Sequence, residues 1–128
     1  MHEPRGELVL RTLAMPADTN ANGDIFGGWI LSQMDLAGGM AAKQCAHSRI
    51  STVAIESMSF HQPVKVGDVI CCYAEFMHIG TTSMRIKLEV WSLKMPFNQK
   101  RVKVTEGLFT YVAIDDDGKP HPVDRPQA

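Results

Sequence analysis

The sequence predicts an α+β domain in which an antiparallel sheet covers one long helix, and three observations predict it. From Gly28 to about Ala46, apolar residues cover most of a helical circumference over a length that suits a helix and not a strand. Between Met84 and Val90, apolar and charged residues alternate without a break, the mark of a half-buried antiparallel strand. Turn residues at Pro63, Gly67-Asp68 and Gly80-Thr81-Thr82 divide the second half of the chain into further β-type stretches.

In chain order, Glu7 to Leu13 alternates loosely and reads as a first strand, ended by Met15-Pro16. A polar loop, Asp18 to Gly27, leads into the helix. Ile50 to Phe60 is rich in β-type residues, and Val69 to His78 forms the next strand after the Pro63 and Gly67-Asp68 turns. Gly80-Thr81-Thr82 is a hairpin loop before Met84–Val90. Met95-Pro96-Phe97-Asn98 makes another loop, and Arg101 to Ile114 is a long last strand closed by Asp115-Asp116-Asp117-Gly118. The chain of 128 residues is expected to be one domain, 1–128, with 118–128 a loose tail.

A hydrophobic content of 45% supplies a real core, although the chain is small for an enzyme that builds a whole pocket alone. A site shared between subunits is therefore expected. The formal net charge of −1 and the lack of a dense Lys/Arg run argue against nucleic-acid or membrane-surface partners. Cys45, Cys71 and Cys72 show no metal-binding spacing, and the adjacent pair should point to opposite faces of a strand. Reduced, packed thiols in a cytoplasmic protein are expected. MHEPRGELVL has no apolar core of signal-peptide length, and no stretch approaches a membrane span.

The helix carries one carboxylate, Asp35. Gly27 and Gly28 at its start let the backbone approach a ligand closely, and the first unpaired N–H groups there suit an anion or a developing oxyanion. On the helix alone two readings stay open. A buried, unpaired Asp35 would be costly and so functional; alternatively Ser32, Asp35, Gly39 and Lys43 form an ordinary solvent stripe. The loop Asp18, Asn20, Asn22, Gly23, Asp24 copies half of a calcium loop, but position twelve is Trp29, so its polar side chains are expected to satisfy local backbone groups, with Gly23 at positive φ. Glycines, a helix N-terminus and one carboxylate fit hydrolysis of a thioester. Seven helical residues separate Gly28 from Asp35, a rise of about 10 Å. A dimer in which the loop of one protomer faces Asp35 of the other removes that difficulty.

NANGDIFGGWILSQMD, followed by TVAIESMSFHQPVKVGD, closely resembles the hotdog-fold acyl-CoA thioesterases of the bacterial YciA type, over a range from about Leu8 to Asp117. The resemblance implies a helix wrapped by a sheet, dimers joined edge to edge, a trimer of dimers, and hydrolysis of acyl-CoA without metal or redox cofactor. It implies that Asp35 is the catalytic acidic residue, that the Gly27 and Gly28 backbone polarises the carbonyl, and that Asp24 stands where relatives often carry Asn. CoA also needs partners for its phosphates and its amide arm. Arg85, Lys87, Lys94, Lys100, Arg101 and Lys103 are the candidates for the first, Asn20 and Asn22 for substrate contacts in the loop, and the strand from Ser51 to Ser59, with Ser57, for the pantetheine. The alternatives are a catalytically silent acyl-CoA or nucleotide-binding module and an acyl-CoA hydratase or dehydratase. The second expects a His–Asp pair, and no histidine lies on the helix.

Overall fold

The computed structural model describes residues 3–93 and 100–123. The expected Met95–Asn98 loop, Lys94 and the last residues of the tail lie outside them. Strand β1 (Glu7–Leu13) and a short 3-10 turn at Pro16–Asp18 precede the helix α1 (Gly27–Ala46). Strands β2 (Arg49–Phe60), β3 (Val69–Ile79), β4 (Ser83–Leu93) and β5 (Arg101–Ile114) follow. They form one five-stranded sheet of order β1-β3-β4-β5-β2, antiparallel throughout. All five strands contact the helix.

Alternation decides which side chains meet the helix. Met84, Ile86, Leu88 and Val90 of β4, with Phe109, Tyr111 and Ala113 of β5, bury against Ile30, Met34, Ala37, Ala42 and Ala46. Each large side chain among them contributes on the order of 1.5–3 kcal/mol of burial. Arg85, Lys87 and Glu89 therefore stand on the opposite face. There Cys71, Tyr73 and Trp91 form a smaller apolar cluster, while Cys72 joins the main core, so the adjacent cysteines do face opposite ways. Burial, and then the charge of Cys71, push the Cys72 thiol up to about 12.

One layer of sheet covers one side of a helix. Leu36 and Met40 remain 56% and 42% exposed, so the wrapping expected of a nearly all-apolar helix is only half supplied within the chain. The same side carries β2, a sheet edge bonded to β5 alone, on which Val53, Ile55 and Phe60 are exposed. The tail departs from expectation in the other direction. His121 N–H bonds Ala113 O at 2.8 Å, Val123 N–H bonds Thr81 O at 2.7 Å, and Val123 is buried, so residues 120–123 are docked and not loose.

Gly38 is where helix and sheet come closest. A Cβ there would overlap the Tyr111 hydroxyl and lie 2.8 Å from Leu88 Cδ1. Gly→Ala gains about 1 kcal/mol of helix propensity, but overpacking costs about 1–3 kcal/mol, and neither neighbour is at a free surface. Gly38→Ala is thus expected to lower the thermal unfolding midpoint, against the usual sign for this substitution; a raised midpoint would show that the helix can shift.

Candidate active site

Asp35 lies half-buried on α1 and is not a free surface charge. Thr52 Oγ1, from β2, donates to its Oδ1 at 2.9 Å, and the Tyr111 hydroxyl, from β5, donates to the same oxygen at 3.0 Å. Oδ2 has no such donor among the described residues. The carboxylate opens into a cavity of about 380 Å³ lined by Leu36, Gly39, Met40, Ile50 and Thr52, with Lys43 and Arg49 as its cations. Burial first, then the Asp35 charge, raise the Tyr111 pKa well beyond the ordinary tyrosine value, so the phenol keeps its proton.

The helix entrance is built by two loops that grip each other. Asn20 Oδ1 accepts the N–H groups of Asn22 at 2.9 Å and Asp24 at 3.2 Å, and Gly23 takes φ +82°, as the local-turn reading expects. Ile25 N–H bonds Val64 O at 2.8 Å, and Lys65 Nζ pairs with Asp24. Asp68 caps the second loop through Lys65 N at 3.0 Å. The NANGD and PVKVGD segments, far apart in sequence, are one structural unit.

Phe26 precedes the helix with extended backbone (φ −61°, ψ 129°) and offers no side-chain cap. The first helical turn bonds begin at Trp29, whose N–H reaches Phe26 O at 3.0 Å. The exposed Gly27 and Gly28 N–H groups have no acceptor among the described residues. Gly27 lines a cavity of about 320 Å³ with Asn20, Asp24, Phe60 and His61; Gly28 lines another of about 640 Å³ with Asn20, Phe26 and Trp29. Neither holds Asp35.

The structure thus brings Asn20, Asp24, Gly27 and Gly28 together and leaves Asp35 apart from them within one chain. Asp24, which stands where relatives often carry Asn, is paired with Lys65 within the chain. Asn22 sits exposed at the loop tip. Ser57, also exposed, adopts φ +59° in a bulge of β2, where the register against β5 shifts between Glu56 and Ser59. The basic residues read as phosphate partners stand elsewhere. Arg85 pairs with Glu56 at 2.9 Å, Lys87 with Glu106 at 3.4 Å, and Arg101 Nη1 donates to Tyr73 Oη at 3.4 Å. Their face of the sheet is the one turned from the helix, so they cannot reach the Asp35 cavity of their own chain. Tyr111 and Arg49 were not expected at the site, Thr52 was expected only within the Ser51–Ser59 strand beside the pantetheine, and Lys43 only as part of a solvent stripe. Lys43 alone had a visible signal, since Asp35, Gly39 and Lys43 recur every four residues along one helix face.

On the outer face, Glu89 is 2% exposed yet ionically satisfied: Lys87 and Lys103 each lie 3.8 Å away, and Trp91 Nε1 donates to it at 2.9 Å. Lys103 also bonds Glu106 at 2.6 Å. That bond, with the Lys103 and Lys87 charges outweighing desolvation, holds Glu106 below the ordinary glutamate value of 4.5. A depressed folded-state value stabilises above the unfolded value and is lost as pH falls through the folded one. The unfolding midpoint is therefore expected to drop as pH falls below 4.5, less steeply in Glu106→Gln. An identical slope in the variant would remove Glu106 from the acid response.

One helix held in the curve of an antiparallel sheet, with a single oriented carboxylate and an uncapped glycine entrance, is the architecture of a hotdog-fold hydrolase. The chain belongs to the Thioesterase superfamily, whose profile matches residues 22–96. It is 62% identical over 123 residues to the acyl-CoA thioester hydrolase YciA of Salmonella typhimurium, covering 94% of this chain and 92% of that one. The hexameric thioesterase y2039 from Yersinia pestis superposes with a TM-score of 0.92 at 55% identity, over 97% of this chain and 100% of that one. HI0827, a hexameric broad specificity acyl-coenzyme A thioesterase solved as an aspartate-to-alanine mutant, gives 0.91 at 51% identity, covering 96% and 90%.

Proposed function

We propose that this chain hydrolyses acyl-CoA thioesters to the free carboxylic acid and CoA, with Asp35 as the reacting carboxylate. The observation that carries the reading is the setting of that carboxylate: two donors hold Oδ1, and Asp35 lines a cavity. Carbon–oxygen bond formation at the carbonyl and departure of the thiolate are then achieved in one of two ways. Oδ2 takes a proton from water as the water attacks, or it attacks itself and the resulting anhydride is hydrolysed; in both, the CoA sulfur leaves and is protonated. Gly27 and Gly28 N–H groups receive the developing oxyanion, and Asn20, whose Oδ1 is engaged by its own loop, presents its NH₂ to the substrate. No metal or redox cofactor is needed for this chemistry.

The helix entrance and Asp35 are assigned to one composite site across a dimer. A twelve-residue edge strand with exposed Val53, Ile55 and Phe60, beside exposed Leu36 and Met40, invites pairing with a second copy. The bulge at Ser57 interrupts such pairing and leaves main-chain groups for the pantetheine amides. Lys43 and Arg49 take the place of Arg85, Lys87 and Arg101 in drawing the anionic part of the substrate. The hexameric neighbours support a hexamer here as well, and three such dimers would make one. Cytoplasmic acyl-CoA is the substrate pool, and no described helix is long and apolar enough to cross a membrane.

Thiol release from a panel of acyl-CoAs tests the reading. Turnover is expected; CoA binding without turnover would instead make the chain a binding module.

A further inference from the structure

Tyr111 enters the proposed hydrolysis only as one of two donors to Asp35 and Gly38 not at all, yet the two meet directly beneath the carboxylate. Tyr111 is fully buried on β5, its ring nearly parallel to that of Phe109 with centroids 6.3 Å apart. Its oxygen comes out under α1, 3.0 Å from Asp35 Oδ1 and 3.4 Å from Asp35 O. The helix admits it at one place. Position 38 has no Cβ, and one placed there would overlap the hydroxyl and lie 2.8 Å from Tyr111 Cζ.

We propose that Tyr111 is a positioning residue for the hydrolysis, holding Asp35 Oδ1 so that Oδ2 meets the thioester, and that Gly38 is the gap through which it does so. The inference rests on the reading of Asp35 above. Two donors share Oδ1, but they differ in kind. Thr52 is an exposed residue of an edge strand, and its hydroxyl hangs on a single rotatable bond. Tyr111 belongs to an interior strand, and a ring packed on all sides cannot follow the carboxylate if it swings. A neutral phenol facing an anion also has only one way to bond it, by donating. The tyrosine therefore defines where Asp35 stands, and the threonine closes the second direction. Gly38 lies three residues beyond Asp35 on the same helical face, so the gap and the carboxylate it serves come from one turn of helix.

Tyr111→Phe deletes one oxygen and leaves the ring in place. With secondary structure and oligomer size verified unchanged, kcat for thiol release is expected to fall about tenfold to a hundredfold while KM stays within about twofold, the pattern of a misplaced reacting group. In an Asp35→Ala background the same substitution should leave the residual rate alone, because no carboxylate remains to be held. Gly38→Ala keeps the tyrosine but displaces its hydroxyl, and the same split between kcat and KM is expected; it decides the matter if the phenylalanine variant fails to fold. An unchanged kcat in Tyr111→Phe beside an inactive Asp35→Ala would overturn the inference alone. An equal loss in both backgrounds would also overturn it, since the phenol would then act elsewhere. An Asp35→Ala enzyme as fast as wild type would overturn the reading of Asp35 and this inference together.

Discussion

Asp35→Ala is expected to lower thiol release from acyl-CoA by a factor of about a hundred or more, the loss that follows removal of a group acting in the chemical step. Stability should change little by comparison. The carboxylate is half-buried, and its loss leaves two hydroxyls, of which Thr52 reaches water and Tyr111 still has Asp35 O at 3.4 Å. A surface charge at this place would instead alter activity by a small factor. Comparing kcat at matched circular dichroism checks the point, and retention of more than a tenth of the rate would move the chemistry to another group.

Gly27→Pro is expected to have an effect of the same order for a different reason. Gly27 is the first residue of α1, where proline suits the helix because its N–H has no intrahelical partner. Phe26 before it already has the extended backbone that a following proline demands. A Cβ at 27 meets only Phe60 Cζ, at 4.0 Å. The substitution thus removes a single N–H with little structural cost, and an oxyanion donor lost in this way costs about a hundredfold to a thousandfold in kcat. Gly27→Ala keeps the N–H and should lose at least tenfold less than the proline variant. Similar losses in the two would mean that space at position 27, and not its donor, is what the substrate needs.

The elements were legible in the sequence because each depends on local pattern. The all-apolar run gives a helix, and the alternation at Met84–Val90 gives β4. Even the end of β4 follows this logic: the pattern stops at Val90, where a bulge shifts the register to Trp91, although the strand continues to Leu93. Asp35 was legible too, as the one charge that an apolar helix must accommodate among its early turns. Its partners were not. Thr52 and Tyr111 lie 17 and 76 residues away in sequence and arrive only because β2 pairs outside β5, a long-range choice that no local pattern encodes. The face that the cations of β4 take follows from the same local pattern. Alternation that buries Met84, Ile86 and Leu88 against the helix must turn Arg85 and Lys87 away from it, so their own strand excludes them from the cavity of Asp35.

The half-covered helix, the long bare edge of β2 and the separation of Asp35 from Gly27 all point to a site completed by a second copy. Co-expressing Asp35→Ala with Gly27→Pro, each nearly inactive alone, tests this most directly. In a composite site, every mixed dimer carries one site with both defects and one with neither. Random pairing should then restore about a quarter of the wild-type rate. No restoration, with mixed dimers demonstrated by differently tagged chains, would place the carboxylate and the glycine entrance of each site in a single protomer.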